Sequence, residues 1–305
     1  MSPKIRVLIV DDSAFARLTI TRQLEVDPEI EVIDVARNGV EALEKIEALK
    51  PNVVTLDVEM PLMDGLSALE QIMSVNPTPV IMLSSLTGEG AEATIKALEF
   101  GAVDFFLKPS LASPAGAKDA ANELRAKTKV AARAKVSRLF TRAAPRPPRP
   151  KAPVATPPPA DRVVIIGSST GGPRALFQLM SALPAGIDAA ILVVQHMPPG
   201  FTKTMAKRLD DISEVSVKEA EAGDVLRRGE ALVAPGGYHM TVTGDRTVGL
   251  NQDPPVCGVR PSVDVTMLSA AGVFGAASLG VVLTGMGSDG TRGTSLIKAS
   301  GGKVI

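Results

Sequence analysis

Eight of the 24 prolines in this 305-residue sequence fall between Pro145 and Pro159, and no compact fold runs through them. Proline lacks an amide donor and fixes φ, so Arg142-Ala-Ala-Pro-Arg-Pro-Pro-Arg-Pro-Lys-Ala-Pro-Val-Ala-Thr-Pro-Pro-Pro159 can neither continue a helix nor pair inside a sheet. It reads as an extended, semi-rigid linker that leaves a folding unit on either side. Charge divides the chain in the same way. Residues 1–110 carry 9 Lys+Arg against 18 Asp+Glu, residues 111–160 carry 11 against 2, and residues 161–305 carry 13 against 13, so the formal net charge of zero hides an acidic, a basic and a neutral piece. Cys257 is the single cysteine, which excludes an internal disulfide or a Cys-rich zinc site, and His196 and His239 are the two imidazoles. No apolar run approaches the roughly 18 residues of a membrane span, and no signal peptide follows Met1, so a cytoplasmic protein that is not membrane-embedded is expected.

Before the linker, β-branched runs alternate with helical patterns. Strands are expected over Ile5 to Val10, Glu31 to Val35, Val53 to Leu56, Val80 to Leu83 and Val103 to Phe106. Helices are expected near Phe15 to Leu24, Val40 to Leu49, Leu66 to Met73 and Ala91 to Phe100. Five β-α repeats predict an α/β fold with a five-stranded, parallel, doubly wound, flavodoxin-like sheet, with ligands bound beyond the strands' carboxyl ends. The Ala-, Lys- and Arg-rich stretch from Asn122 to Phe140 suits a basic helix closing this domain or leading out of it. Lack of interleaved aromatics argues against nucleic acid as its partner. After the linker, Val163 to Ile166, Ala190 to Val194 and Leu279 to Leu283 predict a second, mostly parallel doubly wound α/β sheet, interrupted by a hairpin-like, Gly-punctuated section from Leu232 to Leu250. The expected domains are 1–120, a basic helix and Pro-rich linker over 121–160, and 161–305.

Carboxylates sit at strand ends in the first domain: Asp11 and Asp12 after the first strand, Asp57 after the third. Those two strands are neighbours at the centre of such a sheet, so three like charges converge and call for a cation. Oxygen-only ligands favour Mg²⁺. Ser84 and Lys108 end the fourth and fifth strands, completing a site for phosphoryl transfer to Asp57. Any one such Asp is often only a turn or cap residue; five such residues together at strand ends weaken that reading. With Asp11-Asp12, Asp57, Met60-Pro61, Asp64-Gly65, Ser84-Ser85 and Lys108-Pro109 in order, residues 4–110 resemble a response-regulator receiver domain. The resemblance implies that Asp57 is phosphorylated, that Asp11, Asp12 and Asp57 hold Mg²⁺, and that Ser84, Phe105 and Lys108 form the phosphorylation switch. A plain core residue is the other reading of Phe105.

In the second domain, Gly167-Ser168-Ser169-Thr170-Gly171 follows a strand and opens a helix, fitting G-x-S-x-G, in which small neighbours let a serine nucleophile sit on a tight turn. A phosphate-cradling loop and a helix N-cap remain as rivals. His196 ends the next strand and is the better-placed base; His239 reads as a hydrogen-bonded structural histidine. Asp289 follows the strand near Val281 to Leu283 and either orients that base or caps the next helix. Ser169, His196 and Asp289 thus lie at three strand ends of one sheet. Their order differs from the Ser, acid, His order of α/β-hydrolases.

Taken with the receiver-like domain and the linker, the segments Gly-Ser-Ser-Thr-Gly-Gly, Gln-His-Met, Arg260-Pro-Ser-Val-Asp264 and Leu-Thr-Gly-Met-Gly-Ser-Asp-Gly make the chain resemble the chemotaxis protein-glutamate methylesterases of the CheB family. The resemblance implies a phosphorylation-activated serine hydrolase that removes methyl esters from chemoreceptor glutamates for adaptation, with glutamine deamidation by the same acyl transfer. Ser169 would be the nucleophile, His196 the base and Asp289 its orienting acid, with Thr170 and Met286 near the oxyanion; the ester chemistry needs no cofactor. Its partners would be methyl-accepting receptors and the chemotaxis histidine kinase, with the protein a monomer. Family members continue past Gly301-Gly-Lys-Val-Ile305, so a C-terminally truncated catalytic domain is expected. A partner-binding output domain and an unrelated small-ester hydrolase are the competing readings. The lack of a helix-turn-helix signal and the neutral charge of residues 161–305 disfavour nucleic-acid binding.

Overall fold

The computed structural model describes residues 3–85, 87–108, 114–136, 157–285 and 287–305. It divides into two compact units, Met1–Arg142 and Ala143–Ile305. Most of the Pro-rich linker and the far end of the expected basic helix, residues 137–156, lie outside the described residues, as does Met286.

The first unit runs β1 (Ile5–Val10), α1 (Ala14–Glu25), β2 (Ile30–Ala36), α2 (Gly39–Leu49), β3 (Val53–Asp57), α3 (Gly65–Val75), β4 (Val80–Ser84), α4 (Gly88–Glu99), β5 (Asp104–Leu107) and α5 (Pro114–Ala131). All strands are parallel in the order β2-β1-β3-β4-β5. Each expected strand is present to within a residue, because its buried apolar run ends at a polar or turn-forming residue that leaves the sheet. Side chains of Ser13, Asn38, Asp64 and Thr87 accept from backbone amides of the first turns they precede, satisfying donors that a helix leaves open.

Helix α5 departs from its sequence reading: it begins at Pro114, not Asn122, and ends at Ala131. Proline suits a first helical position, where no amide is required. Leu124 and Ala131 join Ile20 and Leu24 of α1 in one buried cluster, with Ala134 and Val136 packed against it. The helix is therefore continuous across residue 120, and its apolar face belongs to the first unit's core.

The second unit runs β6 (Val163–Ser168), α6 (Gly172–Ala182), β7 (Ala190–Gln195), α7 (Phe201–Ile212), β8 (Ser216–Glu219), β9 (Glu230–Val233), β10 (His239–Val242), β11 (Val248–Asn251), α8 (Val263–Phe274), β12 (Ser278–Val282), α9 (Thr291–Ala299) and β13 (Lys303–Val304). Its six-stranded sheet is wholly parallel, in the order β13-β12-β6-β7-β9-β8. The chain first winds outward from β6 through β7 and later returns to β6's other side with β12, making the carboxyl end of β6 the topological switch point.

Two elements differ from the sequence reading. Leu232 was expected in the hairpin section, but it lies in β9, paired with Leu192 and Lys218 inside the parallel sheet; the hairpin proper is β10 with β11. Edge strand β8 was not anticipated, because four residues with one buried apolar side chain, Val217, carry too little pattern. Among the described residues, no helix is long and apolar enough to cross a membrane.

Candidate active site and acidic pocket

The parallel register sets both sites. In the first unit, β1 and β3 are adjacent, so Asp11 and Asp57 face one another at the sheet edge, and ligand oxygens of Asp11, Asp12 and Asp57 lie within 4.8 Å of each other. Lys108, after β5, places its Nζ 2.8 Å from Asp11 Oδ2 and 2.7 Å from Asp57 Oδ2. Lys108 is thus the one cation set against Asp11 and Asp57 among the described contacts, and a three-carboxylate cluster with a single shared ammonium fits a hard divalent cation. Burial pushes the Asp57 carboxyl up to about 6; Lys108 opposes the rise and the negative Asp11 adds to it. Burial likewise weighs against the Lys108 ammonium, but bonds to Asp11 and Asp57 outweigh it and leave its pKa raised.

Gly65 shows how tightly this pocket is drawn. A Cβ there would stand 1.9 Å from the Asp57 carbonyl oxygen, and its amide donates to Val58 O at 2.9 Å. Only glycine lets α3 start against the end of β3. The Ser84 hydroxyl is buried and accepts from Thr94 Oγ1 at 2.7 Å, which ties it to α4. Phe105 is buried, with Lys127 Nζ 5.0 Å from its ring centroid.

In the second unit, Ser169 directly follows β6 and His196 directly follows β7, strands that pair up to Ser168 and Gln195. The β12–α9 loop closes the third side: Ser169 N donates to Thr284 O at 2.8 Å, and a Cβ on Gly285 would stand 2.6 Å from Ser169 Cβ. Gly171 takes the left-handed φ of 76° and is the residue before α6, with no side-chain cap bond. Ser169 is thus neither the helix cap nor the left-handed residue of the turn. Thr170 is buried beside it, its carbonyl accepting from Thr284 Oγ1.

His196 Nε2 lies 2.8 Å from Asp289 Oδ2. Asp289 also accepts from Ser262 Oγ at 2.7 Å and from the amides of Val263, Asp264 and Gly290 at 2.7, 3.0 and 3.1 Å. Burial opposes its ionisation, yet these donors, His196 foremost, hold the carboxyl down at about 2. Asp289 is not the cap of α9, which Gly290 provides; it sits at the amino end of α8, where amides and helix dipole favour an anion. Sequence reasoning missed Ser262 and this helix end: the Arg260-Pro-Ser-Val-Asp264 segment was visible, but nothing local shows what its amides bind. His239 begins β10, buried, with Nε2 3.2 Å from Pro254 O, away from the His196–Asp289 pair in hydrogen bonding.

A half-buried Asp–His pair and a serine at adjacent parallel strand ends, with small residues pressed against the serine, match the order of the sequence motifs. Residues 164–305 match the family model for the CheB methylesterase, and residues 7–114 match that for the response regulator receiver domain. A protein-glutamate methylesterase/protein-glutamine glutaminase from Symbiobacterium thermophilum is 51% identical over 99% of this chain and 86% of its own length.

The chain belongs to the CheB methylesterase family.

A protein-glutamate methylesterase/protein-glutamine glutaminase from Pyrococcus horikoshii is 50% identical over 100% of this chain and 84% of its length. The crystal structure of the Thermotoga maritima CheB methylesterase catalytic domain is 46% identical, covering 47% of this chain and 78% of that one, with a TM-score of 0.46. The two family models together reach into both units, and the curated relatives match nearly the whole chain.

Proposed function

We propose that this chain is a protein-glutamate methylesterase and protein-glutamine glutaminase whose receiver domain gates a Ser169–His196–Asp289 centre. The observation that carries the reading is the 2.8 Å His196–Asp289 pair on the sheet edge that also carries Ser169. With Nε2 engaged by Asp289, Nδ1 is the nitrogen left to take the Ser169 proton. Ser169 Oγ attacks the carbonyl carbon of a receptor glutamate methyl ester, His196 accepts the proton, and the tetrahedral oxyanion is met by amides near Thr170 and Met286. Collapse expels methoxide, protonated by His196 to methanol. Water then attacks the acyl-enzyme by the same route and returns a glutamate carboxylate. An amide substrate passes through the same acyl-enzyme and releases ammonia, so glutamine deamidation needs no further residue. Asp289, ionised through the cycle, keeps the imidazole in the required tautomer.

In the first unit, Asp57 accepts a phosphoryl group from a histidine kinase. Asp11, Asp12 and Asp57 would hold Mg²⁺, which supplies positive charge to the phosphoryl oxygens. Lys108 supplies a second positive charge. Phosphorylation adds nearly two negative charges to a pocket already short of cations, and Ser84 with Phe105 would relay the change as the family's switch residues do. The receiver occupies 1–120 in its sheet, with α5 extending its core to Ala131; the Pro-rich linker follows, and the catalytic domain spans 161–305. The protein works as a monomer in the cytoplasm on methyl-accepting receptors.

Methanol release from methylated receptor glutamates, with Mg²⁺ and with or without a small phosphodonor, tests both halves. Release that rises with the phosphodonor is expected. No release from folded protein that still phosphorylates Asp57 would overturn the esterase reading, and release indifferent to phosphorylation would overturn the gating.

A further inference from the structure

We propose that Gln195 is a positioning residue for the oxyanion site of this reaction, acting through the peptide unit that joins Ser169 to Thr170. The inference rests on the esterase reading above and names a group outside the triad. Gln195 is the last residue of β7, 2% exposed, and its carboxamide lies between the nucleophile's strand and the base's strand. Nε2 donates to Ser169 O at 3.0 Å and to His196 O at 3.2 Å. Oε1 accepts from Ser168 Oγ at 2.7 Å. Two carbonyl acceptors on one side and a hydroxyl donor on the other leave a single amide orientation that satisfies every group.

The carbonyl of Ser169 belongs to the same planar peptide as the Thr170 N–H. That oxygen accepts twice, from Gln195 Nε2 and from Gly172 N at 2.8 Å, so the peptide plane is held from both sides and its N–H is polarised by the donors on its oxygen. A free peptide at a strand end rotates at little cost; this one cannot rotate without stranding two buried donors, the Gln195 carboxamide and the Gly172 amide. The second bond, to His196 O, pins the backbone of the base by the same carboxamide. The main chain makes room for this: a Cβ on Gly172 would stand 2.1 Å from Gln195 Oε1, so α6 can begin here only with glycine. Buried polar side chains that bridge the backbones of nucleophile and base, and leave reactive atoms untouched, are placed to set geometry rather than to react.

The test is Gln195→Met in the full chain, an uncharged replacement of similar length that removes both donors. Oxyanion geometry matters in the transition state, so kcat for methanol release should fall about 30-fold, below the 10²–10³ of losing a donor outright, with KM within about twofold. Affinity for a receptor peptide bearing a boronic acid in place of the ester, a mimic of the tetrahedral adduct, should fall by the same factor as kcat. Affinity for the product glutamate peptide should not change. Ser168→Ala, which removes only the hydroxyl that orients the amide, should give the same pattern at roughly a tenth of the size and keeps the question open to measurement if Gln195→Met does not fold. Unchanged kcat, a loss confined to KM, or a loss that vanishes on correction for folded fraction would overturn the positioning role. A wild type releasing no more methanol than Ser169→Ala would overturn the esterase reading itself, whereas an active wild type beside a fully active Gln195→Met overturns only the role of Gln195.

Discussion

Asp57 and Asp289 are the same residue type, both with side chains less than a tenth exposed at the carboxyl edge of a parallel sheet, and the protein treats them in opposite ways. Asp57 ends β3 among Asp11 and Asp12, with one ammonium shared between it and Asp11, and its carboxyl is pushed up to about 6. Asp289 has five donors, three of them backbone amides, and is held down at about 2. The difference lies in donors, not in burial. A carboxylate short of positive partners is one whose environment improves when a cation and a phosphoryl group arrive; one that is fully satisfied is fit to stay anionic and hold a histidine. A single fold principle, functional groups at the carboxyl ends of parallel strands, therefore yields a carboxyl of raised pKa in one unit and one of lowered pKa in the other.

The contrast can be broken most severely at the second site. Ser169→Ala should lower methanol release by about 10⁴-fold or more, while radiolabelled phosphodonor still modifies Asp57 at the wild-type rate. Asp289→Asn should cost about 10³-fold in kcat, because an amide cannot hold the His196 tautomer; a loss below tenfold would mean that the carboxylate only caps α8. At the first site Asp57→Asn should leave the basal rate within about twofold and remove all stimulation by phosphodonor, at the low end of the switching range of a few kcal/mol.

Smaller effects, seen in chemical denaturation of the full chain without divalent cations, sharpen the comparison by their sign. Asp289 has a folded pKa of about 2 against an ordinary 3.8, so its contribution is complete above about pH 4 and is lost as pH falls toward 2. The loss should be on the order of 2 kcal/mol and absent in Asp289→Asn. Asp57 has a folded pKa of about 6, so its contribution is present below its ordinary 3.8 and is lost as pH rises through 6. Wild type measured against Asp57→Asn should therefore lose relative stability between about pH 4 and 6, the reverse slope. Slopes of equal sign would mean that the two carboxyls are not in the opposed environments described.

Much of this could be read before the fold was seen, and particular residues show why. Ile5 to Val10 and Val53 to Leu56 are apolar but for Arg6 and Thr55 and each is followed by Asp, a near-continuous pattern that suits a buried parallel strand. Once the strands are placed, parallel topology alone brings Asp11 beside Asp57 and Ser169 beside His196. Four residues of β8 and the start of α5 escaped because a short edge strand and an Ala-rich helix have little periodicity to detect. At the candidate active site, Asp289 was legible as the cap of the following helix or an orienting acid; Gly290 holds that cap position, and Asp289 instead pairs with His196 and accepts from amides at the start of the helix that begins at Val263, 26 residues earlier. Gln195 and Ser262 lie in the Gln-His-Met and Arg260–Asp264 segments, but nothing local in either shows which distant groups they meet.

The order of residues thus determined the element types, the two parallel sheets and the chemistry stationed at their edges, because backbone preference and hydrophobic period are local and parallel strands all point their carboxyl ends one way. Tertiary packing alone decided which carboxylate is starved and which is saturated, which nitrogen of His196 meets Asp289, and that a glutamine spans Ser169 and His196. Those outcomes depend on where α8 and α9 come to rest against β6 and β12, and a pKa responds to desolvation and donors contributed by segments far apart in the chain.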